Sequence, residues 1–285
     1  MTRRSVAAAG ELVGVIRIQP RRGWLSLDLL ELWSYRELGY FLVWRDVKVR
    51  YKQTVFGAAW AIIQPFLLMV VFSLFLGRIG GIAPAGVPYP LFAFAGLVPW
   101  TLFSQSVVGS SNSLVVATNL IQKVYFPRLL LPISAIGACL LDFVIAMVVL
   151  VLMMLYFGVT PSPTVLWLVP LTALAVIAAL SVGVLLSALN VRYRDIRYAV
   201  PFLIQLGLFA SPVAYSADLV PNEWRTLYEL NPMAGVLEGF RWALLGQGGA
   251  PPVETIIVSS AVTIAILAFG LMYFRRVEQT FADVI

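Results

Sequence analysis

The sequence predicts an all-α polytopic membrane protein with six transmembrane helices, an N-terminal interfacial amphipathic helix and an outer re-entrant hairpin between spans five and six. Three observations carry that prediction. Of 285 residues, 60% are hydrophobic and only 12% charged, too little polar surface for a soluble domain but enough for one whose walls face lipid. Apolar runs recur at lengths near the roughly 20 residues a helix needs to cross a hydrocarbon core. Of the 20 lysines and arginines, all but Arg78, Arg225 and Arg241 fall on segments that six crossings would gather on one face. That asymmetry puts both termini in the cytoplasm.

Taken in order, residues 1–54 read as a cytoplasmic tail and interfacial helix, and residues 55–285 as the six-helix transmembrane domain. Arg3, Arg4 and the small apolar stretch Ala7–Gly10 resemble a signal peptide, but Glu11 and Arg17 interrupt it, so a retained tail is expected. Leu27–Lys52 is too charged to span. Near its end Tyr40, Trp44, Val47 and Tyr51 share one helical face, with Arg45, Lys48 and Lys52 away from it. This is the pattern of a basic helix lying in the inner interface, as an anchor alone or as an anchor and a docking surface.

The spans are expected at about 55–76, 89–110, 131–157, 165–189, 199–215 and 253–274. The fifth is short and holds Pro201, Gln205, Gly207 and Pro212, so a kink or an extension by flanking residues is expected. In the fourth, Ala175, Ala179, Gly183 and Ser187 form a ladder of small residues that lets a neighbouring backbone approach. The loop Asn112–Arg128 predicts a short helix ended by Pro127. The segment 216–252 carries two apolar stretches, each too short to span, around the Asn231-Pro232 turn signal, and reads as the re-entrant hairpin.

Several chemistries are excluded. With no histidine and one cysteine, Cys139, there is no His/Cys metal site, no intramolecular disulfide and no His-based triad. No Walker A loop is present, and Gly77, Gly80, Gly81 and Gly86 lack the lysine and strand that a phosphate loop requires. The basic excess sits in short groups beside apolar runs, which points to anionic lipid headgroups and not to nucleic acid. Asp142 is the one acid deep within a span, and it should face the bundle, either as a structural hydrogen-bonding group or as a proton relay. Gln53, Gly57, Trp60 and Gln64 share a face of span one; Tyr198, Phe202, Gln205, Phe209 and Pro212 share a face of span five. Rings with polar neighbours suit sugars, although ordinary helix packing gives the same pattern.

Trp44-Arg45-Asp46-Val47-Lys48-Val49-Arg50-Tyr51-Lys52, running into Gly57-Ala58-Ala59-Trp60 and Gln64-Pro65, resembles the entry of the polysaccharide export permeases. These are the membrane subunits of type-2 ABC exporters for O-antigen, capsule, teichoic acid and related glycans. Asn190-Val191-Arg192-Tyr193-Arg194-Asp195-Ile196 is similar to their turn before span five. Ser211-Pro212-Val213-Ala214-Tyr215, Asn231-Pro232-Met233 and Glu238-Gly239-Phe240-Arg241-Trp242 are similar to their outer hairpin. The likeness runs from about Trp33 onward with its motifs in order.

It implies a homodimer joined to two copies of a separate nucleotide-binding ATPase, which carries the ATP and Mg, with no cofactor in this chain. The cargo would be a lipid-linked glycan moved out across the cytoplasmic membrane. By the same resemblance Trp60, Gln64, Phe202, Gln205 and Phe209 would line the path. Arg45, Lys48, Lys123, Tyr125 and Arg128 would couple to the ATPase, and Tyr215, Trp224, Asn231, Phe240 and Trp242 would shape the outer gate. The rival readings are a type-2 ABC permease for a drug or small lipid, an ion-coupled secondary transporter using Asp142, and a membrane-embedded enzyme.

Overall fold

A computed structural model of the protein describes residues 29–52, 57–82, 86–160, 162–246, 249–278 and 281. Residues 1–28 of the expected tail, and Gln53, lie outside the described residues. The order is α1 (Leu29–Ser34), α2 (Arg36–Lys52), α3 (Trp60–Phe72), α4 (Tyr89–Val116), α5 (Thr118–Lys123) and α6 (Leu130–Tyr156), then α7 (Leu168–Arg192), α8 (Ile196–Ala210), α9 (Asn222–Glu229), α10 (Ala234–Leu245) and α11 (Val253–Glu278). Short 3-10 turns at Gly57–Ala59 and Pro163–Trp167 lead into α3 and α7, and α3 continues as a π-helix over Ser73–Ile79. No strand occurs among the described residues.

Five of these helical stretches are long and apolar enough to cross a membrane: Trp60–Ile79, Tyr89–Val116, Leu130–Tyr156, Pro163–Arg192 and Val253–Glu278. The sixth expected span corresponds to α8, whose 15 residues fall short of that length. Pro212 lies in the turn that follows α8 and ends it early. The first span starts later than its apolar run, because Gly57 turns the chain at φ +45° before helix can begin.

α4 is the central element. Leu91 to Trp100 are all buried, as expected of a helix apolar on every side. The small-residue ladder of α7 is buried against it: a methyl added at Gly183 would lie 2.6 Å from Ser110 Cβ of α4. Ser110 Oγ donates to the Pro132 carbonyl of α6 at 2.8 Å, so this crossing unites three helices. Asn190 Nδ2 adds a bond to the Ser111 carbonyl at 2.8 Å.

Both ends of the described chain meet at one end of the bundle, here the basal end. There Leu42 of α2, Leu114 of α4, Ile121 of α5, Phe126, Leu130 and Val191 pack with Phe274, Val277 and Phe281. At the opposite end, α9 and α10 flank the Asn231-Pro232 break, which falls where the sequence placed it. The loop helix expected over Asn112–Arg128 is divided instead. α4 runs on to Val116, and α5 stops at Lys123, short of Pro127.

The face expected to anchor α2 is not the face it packs with. Leu42 is the buried residue of α2, and a methyl at Gly39 would touch Leu130 at 3.5 Å. A methyl at Gly137 of α6 would lie 2.8 Å from Val43. These pairs advance in the same direction along both helices, so α2 runs beside the first half of α6. Tyr40, Phe41 and Trp44 point away and are exposed.

Candidate functional site

Asp142 on α6 is nearly buried, as a charged group within a span should be. Its carboxylate accepts from the Arg50 guanidinium and from the Tyr51 hydroxyl, the last turn of α2 supplying both. Arg50 also reaches Gln105 Oε1 of α4 at 3.5 Å and Cys139 Sγ at 3.6 Å. Asp142 is therefore the acceptor of an ion pair, not an isolated hydrogen-bonding group. Deleting one partner of such a pair leaves an uncompensated charge at a cost of about 3–5 kcal/mol, toward the low end here because the Arg50 side chain is 36% exposed.

Ala61, at the start of α3, lines the same small void of about 10 Å³ as Gln105, Cys139 and Asp142. That fixes a level. Above it remain ~21 Å of α6 and ~24 Å of α4 at 1.5 Å per residue, most of a ~30 Å core. Asp142 sits nearer the basal boundary than its mid-helix position suggests.

Of the residues expected to couple to an ATPase, Arg45 pairs with its neighbour Asp46 at 2.8 Å and Lys48 lies 5.3 Å from the centroid of the Trp44 ring. Lys123 and Tyr125 are exposed beside a cleft of about 220 Å³, formed where the chain bends through Gln122–Phe126. Arg128 is a different case. It donates to the Glu278 carbonyl at the end of α11 and stacks over Phe281 at 5.7 Å, so it ties the loop to the end of α11.

At the opposite end Arg241 of α10 is buried. Its Nη2 donates to the Val213 carbonyl at 2.5 Å and its Nη1 to the Tyr215 carbonyl at 3.1 Å, and its guanidinium lies 3.7 Å from the centroid of Phe92. Tyr89 of α4 donates to the Ala214 carbonyl at 2.7 Å, and Asn231 Nδ2 donates to Ser211 Oγ at 2.7 Å. Together these groups fix the Ser211–Tyr215 turn.

The expected gate residues divide. Tyr215 donates to the Phe209 carbonyl at 3.1 Å, Asn231 anchors the turn, and Trp224 is exposed. Trp242 stacks edge-on with Trp167 at 6.2 Å. Phe240 is fully buried against Phe143 at 6.3 Å, which makes it core, not gate. Its position beside outer aromatics suggested a rim, but its register on α10 points it inward.

Trp60, Gln64, Phe202, Gln205 and Phe209 are all exposed. Tyr198, Phe202, Gln205 and Phe209 form one outward row on α8, and Phe209 meets Phe72 of α3 edge-on at 6.5 Å. One chain leaves this surface open. Arg50, Gln105, Arg241 and Tyr89 were not among the candidate site residues expected from sequence. A lone buried acid signals that a cation must exist, and only the fold names which.

The sequence pattern of ABC-2 type transporters matches residues 37–245, from the start of α2 to the last residue of α10, and so includes the ion pair, the Arg241 turn and the open row. The chain belongs to the ABC-2 type transporter family. This ABC-2 protein is a multi-pass membrane transport subunit. It is similar to the O-antigen export system permease protein RfbA of Klebsiella pneumoniae, 29% identical over 85% of this chain and 92% of that one. The protein of the same name from Myxococcus xanthus is 29% identical over 89% and 97%. The polysialic acid transport protein KpsM of Escherichia coli is 25% identical over 82% and 91%.

Proposed function

We propose that this permease is the transmembrane subunit of an ATP-driven exporter that moves a lipid-linked polysaccharide or related glycan out across the cytoplasmic membrane. The observation that carries the reading is similarity over nearly the full length of the O-antigen export permeases, at 92% and 97% of those chains. The geometry supports it through the row Phe202, Gln205 and Phe209, which a single chain leaves exposed. Aromatic faces interspersed with amides give a sugar chain stacking surface and hydrogen-bond partners.

In this reading two copies face each other across α3 and α8 and enclose the path. α8 and the turn after it complete a sixth crossing, both termini are cytoplasmic, α2 borders the inner interface, and α9–α10 form the re-entrant outer hairpin. Two ATPase subunits bind ATP and Mg, and they dock near Lys123 and Tyr125 and along α2. Asp142 is held by Arg50 and Tyr51, which suits a fixed structural charge better than a carboxylate that must exchange protons in an ion-coupled carrier.

The test replaces the catalytic base of the partner ATPase. Surface glycan should vanish while this subunit stays in the membrane. Export that persists without ATP hydrolysis would refute the reading.

A further inference from the structure

We propose that Arg50, Tyr51 and Asp142 form a positioning joint that makes α2 and α6 move as one body, so that force applied to α2 reaches α6 and α4. The inference rests on the export reading above. Three features of the joint carry it. The contacts Gly39 to Leu130, Val43 to Gly137 and Arg50 to Asp142 advance together, so the two helices lie side by side in parallel. Along that line the apolar contact is a narrow, close-packed seam through Gly39, Leu42 and Val43. The polar end supplies the fixed point. The planar guanidinium of Arg50 bridges α2 to Asp142 and Cys139 on α6 and to Gln105 on α4, a fork that a lysine could not reproduce. Tyr51 occupies the second carboxylate oxygen, which leaves Asp142 held from two directions.

The joint is also placed to transmit and not merely to anchor. Beyond it the chain turns at Gly57, φ +45°, before α3 begins. Movement of α2 therefore passes sideways into α6 and α4 through this contact, and α3 meets the joint through Ala61, which lines the same void as Asp142. α4 carries Trp100, which packs on Gly207 of α8, so the route continues to the helix that bears the open aromatic row.

The experiment compares Arg50→Met/Asp142→Leu and Tyr51→Phe with the parent, all expressed with the partner ATPase. The apolar pair leaves no orphaned charge, and such replacements are commonly tolerated by the fold. Four quantities are read: membrane level, ATPase recovered on purification, ATP hydrolysis by the complex, and surface glycan per membrane-inserted subunit. The double variant should keep level, recovery and hydrolysis within about twofold while export per subunit falls to about a tenth or less, the signature of a lost conformational step. Tyr51→Phe should keep level and recovery and lower export per subunit about two- to threefold. A purely structural role predicts that export tracks the membrane level, and unchanged export per subunit in either variant overturns the joint. If the double variant fails to accumulate, Tyr51→Phe decides alone by the same criterion. A parent that still exports with a hydrolysis-dead ATPase would instead overturn the export reading, so the two failures are distinguishable.

Discussion

Arg241, buried at the end of the bundle opposite the basal one, does what the half-exposed Arg50 does nearer the basal end: a guanidinium joins elements distant in sequence. The close packing around it makes a sharp test. A methyl added at Gly96 would lie 2.6 Å from Arg241 Nη2 and 2.7 Å from the Val213 carbonyl, and neither can retreat without losing their mutual bond. Gly96→Ala should cost about 1–3 kcal/mol, an overpacking penalty, and lower the unfolding temperature of the detergent-solubilised protein. An unchanged transition would mean the Ser211–Tyr215 turn yields freely. At this scale the sequence was informative about types and silent about partners. Asp142 stood out as a costly buried acid, but its cation lies 92 residues away along the chain. Arg241 was counted among outer-face charges because nothing local to α10 announces its burial beneath Phe92 and the two carbonyls.

Among the helices, those with long apolar runs were legible and those defined by what they pack against were not. α6, α7 and α11 begin and end within a few residues of expectation because their apolar runs are long and bounded by polar turns. α2 was assigned an aromatic face toward the membrane interface, since Tyr40, Trp44, Val47 and Tyr51 repeat at helical spacing, and Tyr40 and Trp44 are exposed. The seam by which it packs on α6 is a separate feature that the spacing did not announce, running through Gly39, Leu42 and Val43, where glycine allows close approach. α5 and the bend after it separate two roles that the loop's charge pattern merges. Lys123→Glu/Tyr125→Ala alters only exposed side chains beside the cleft, so the subunit should reach the membrane normally yet recover less partner ATPase, as reversed charge at a docking rim does. Arg128→Glu instead removes the donor to the Glu278 carbonyl and the cation over Phe281. It should lower the membrane level itself, through a loss of about 1–3 kcal/mol. Quantitative blots of membranes and of co-purified ATPase separate the two outcomes. Equal behaviour of both variants would refute the division.

For the molecule as a whole, the decisive question is whether α8 crosses the bilayer. Five long helices alone would leave the two ends of the chain on opposite sides. Yet Leu42 near the start of the described residues and Phe274, Val277 and Phe281 near their end share one buried cluster, which is the reason the proposed reading takes α8 as a sixth crossing. α8 supplies only ~22 Å of helix at 1.5 Å per residue, so in that reading the non-helical Ser211–Tyr215 stretch would finish the crossing. Irregular backbone at membrane depth is tolerated only where protein groups satisfy it. Arg241 donates to the carbonyls of Val213 and Tyr215, and Tyr89 to that of Ala214. In the proposed reading a buried arginine, costly in isolation, would be the means by which a short helix spans. In a Cys139→Ser background, Glu223→Cys should therefore react with an impermeant maleimide on spheroplasts, and Arg194→Cys only after lysis. Both positions are exposed and flank the stretch in question. Labelling of both from outside would mean α8 does not cross, and the reverse pattern would invert the orientation that 20 unevenly distributed lysines and arginines imply.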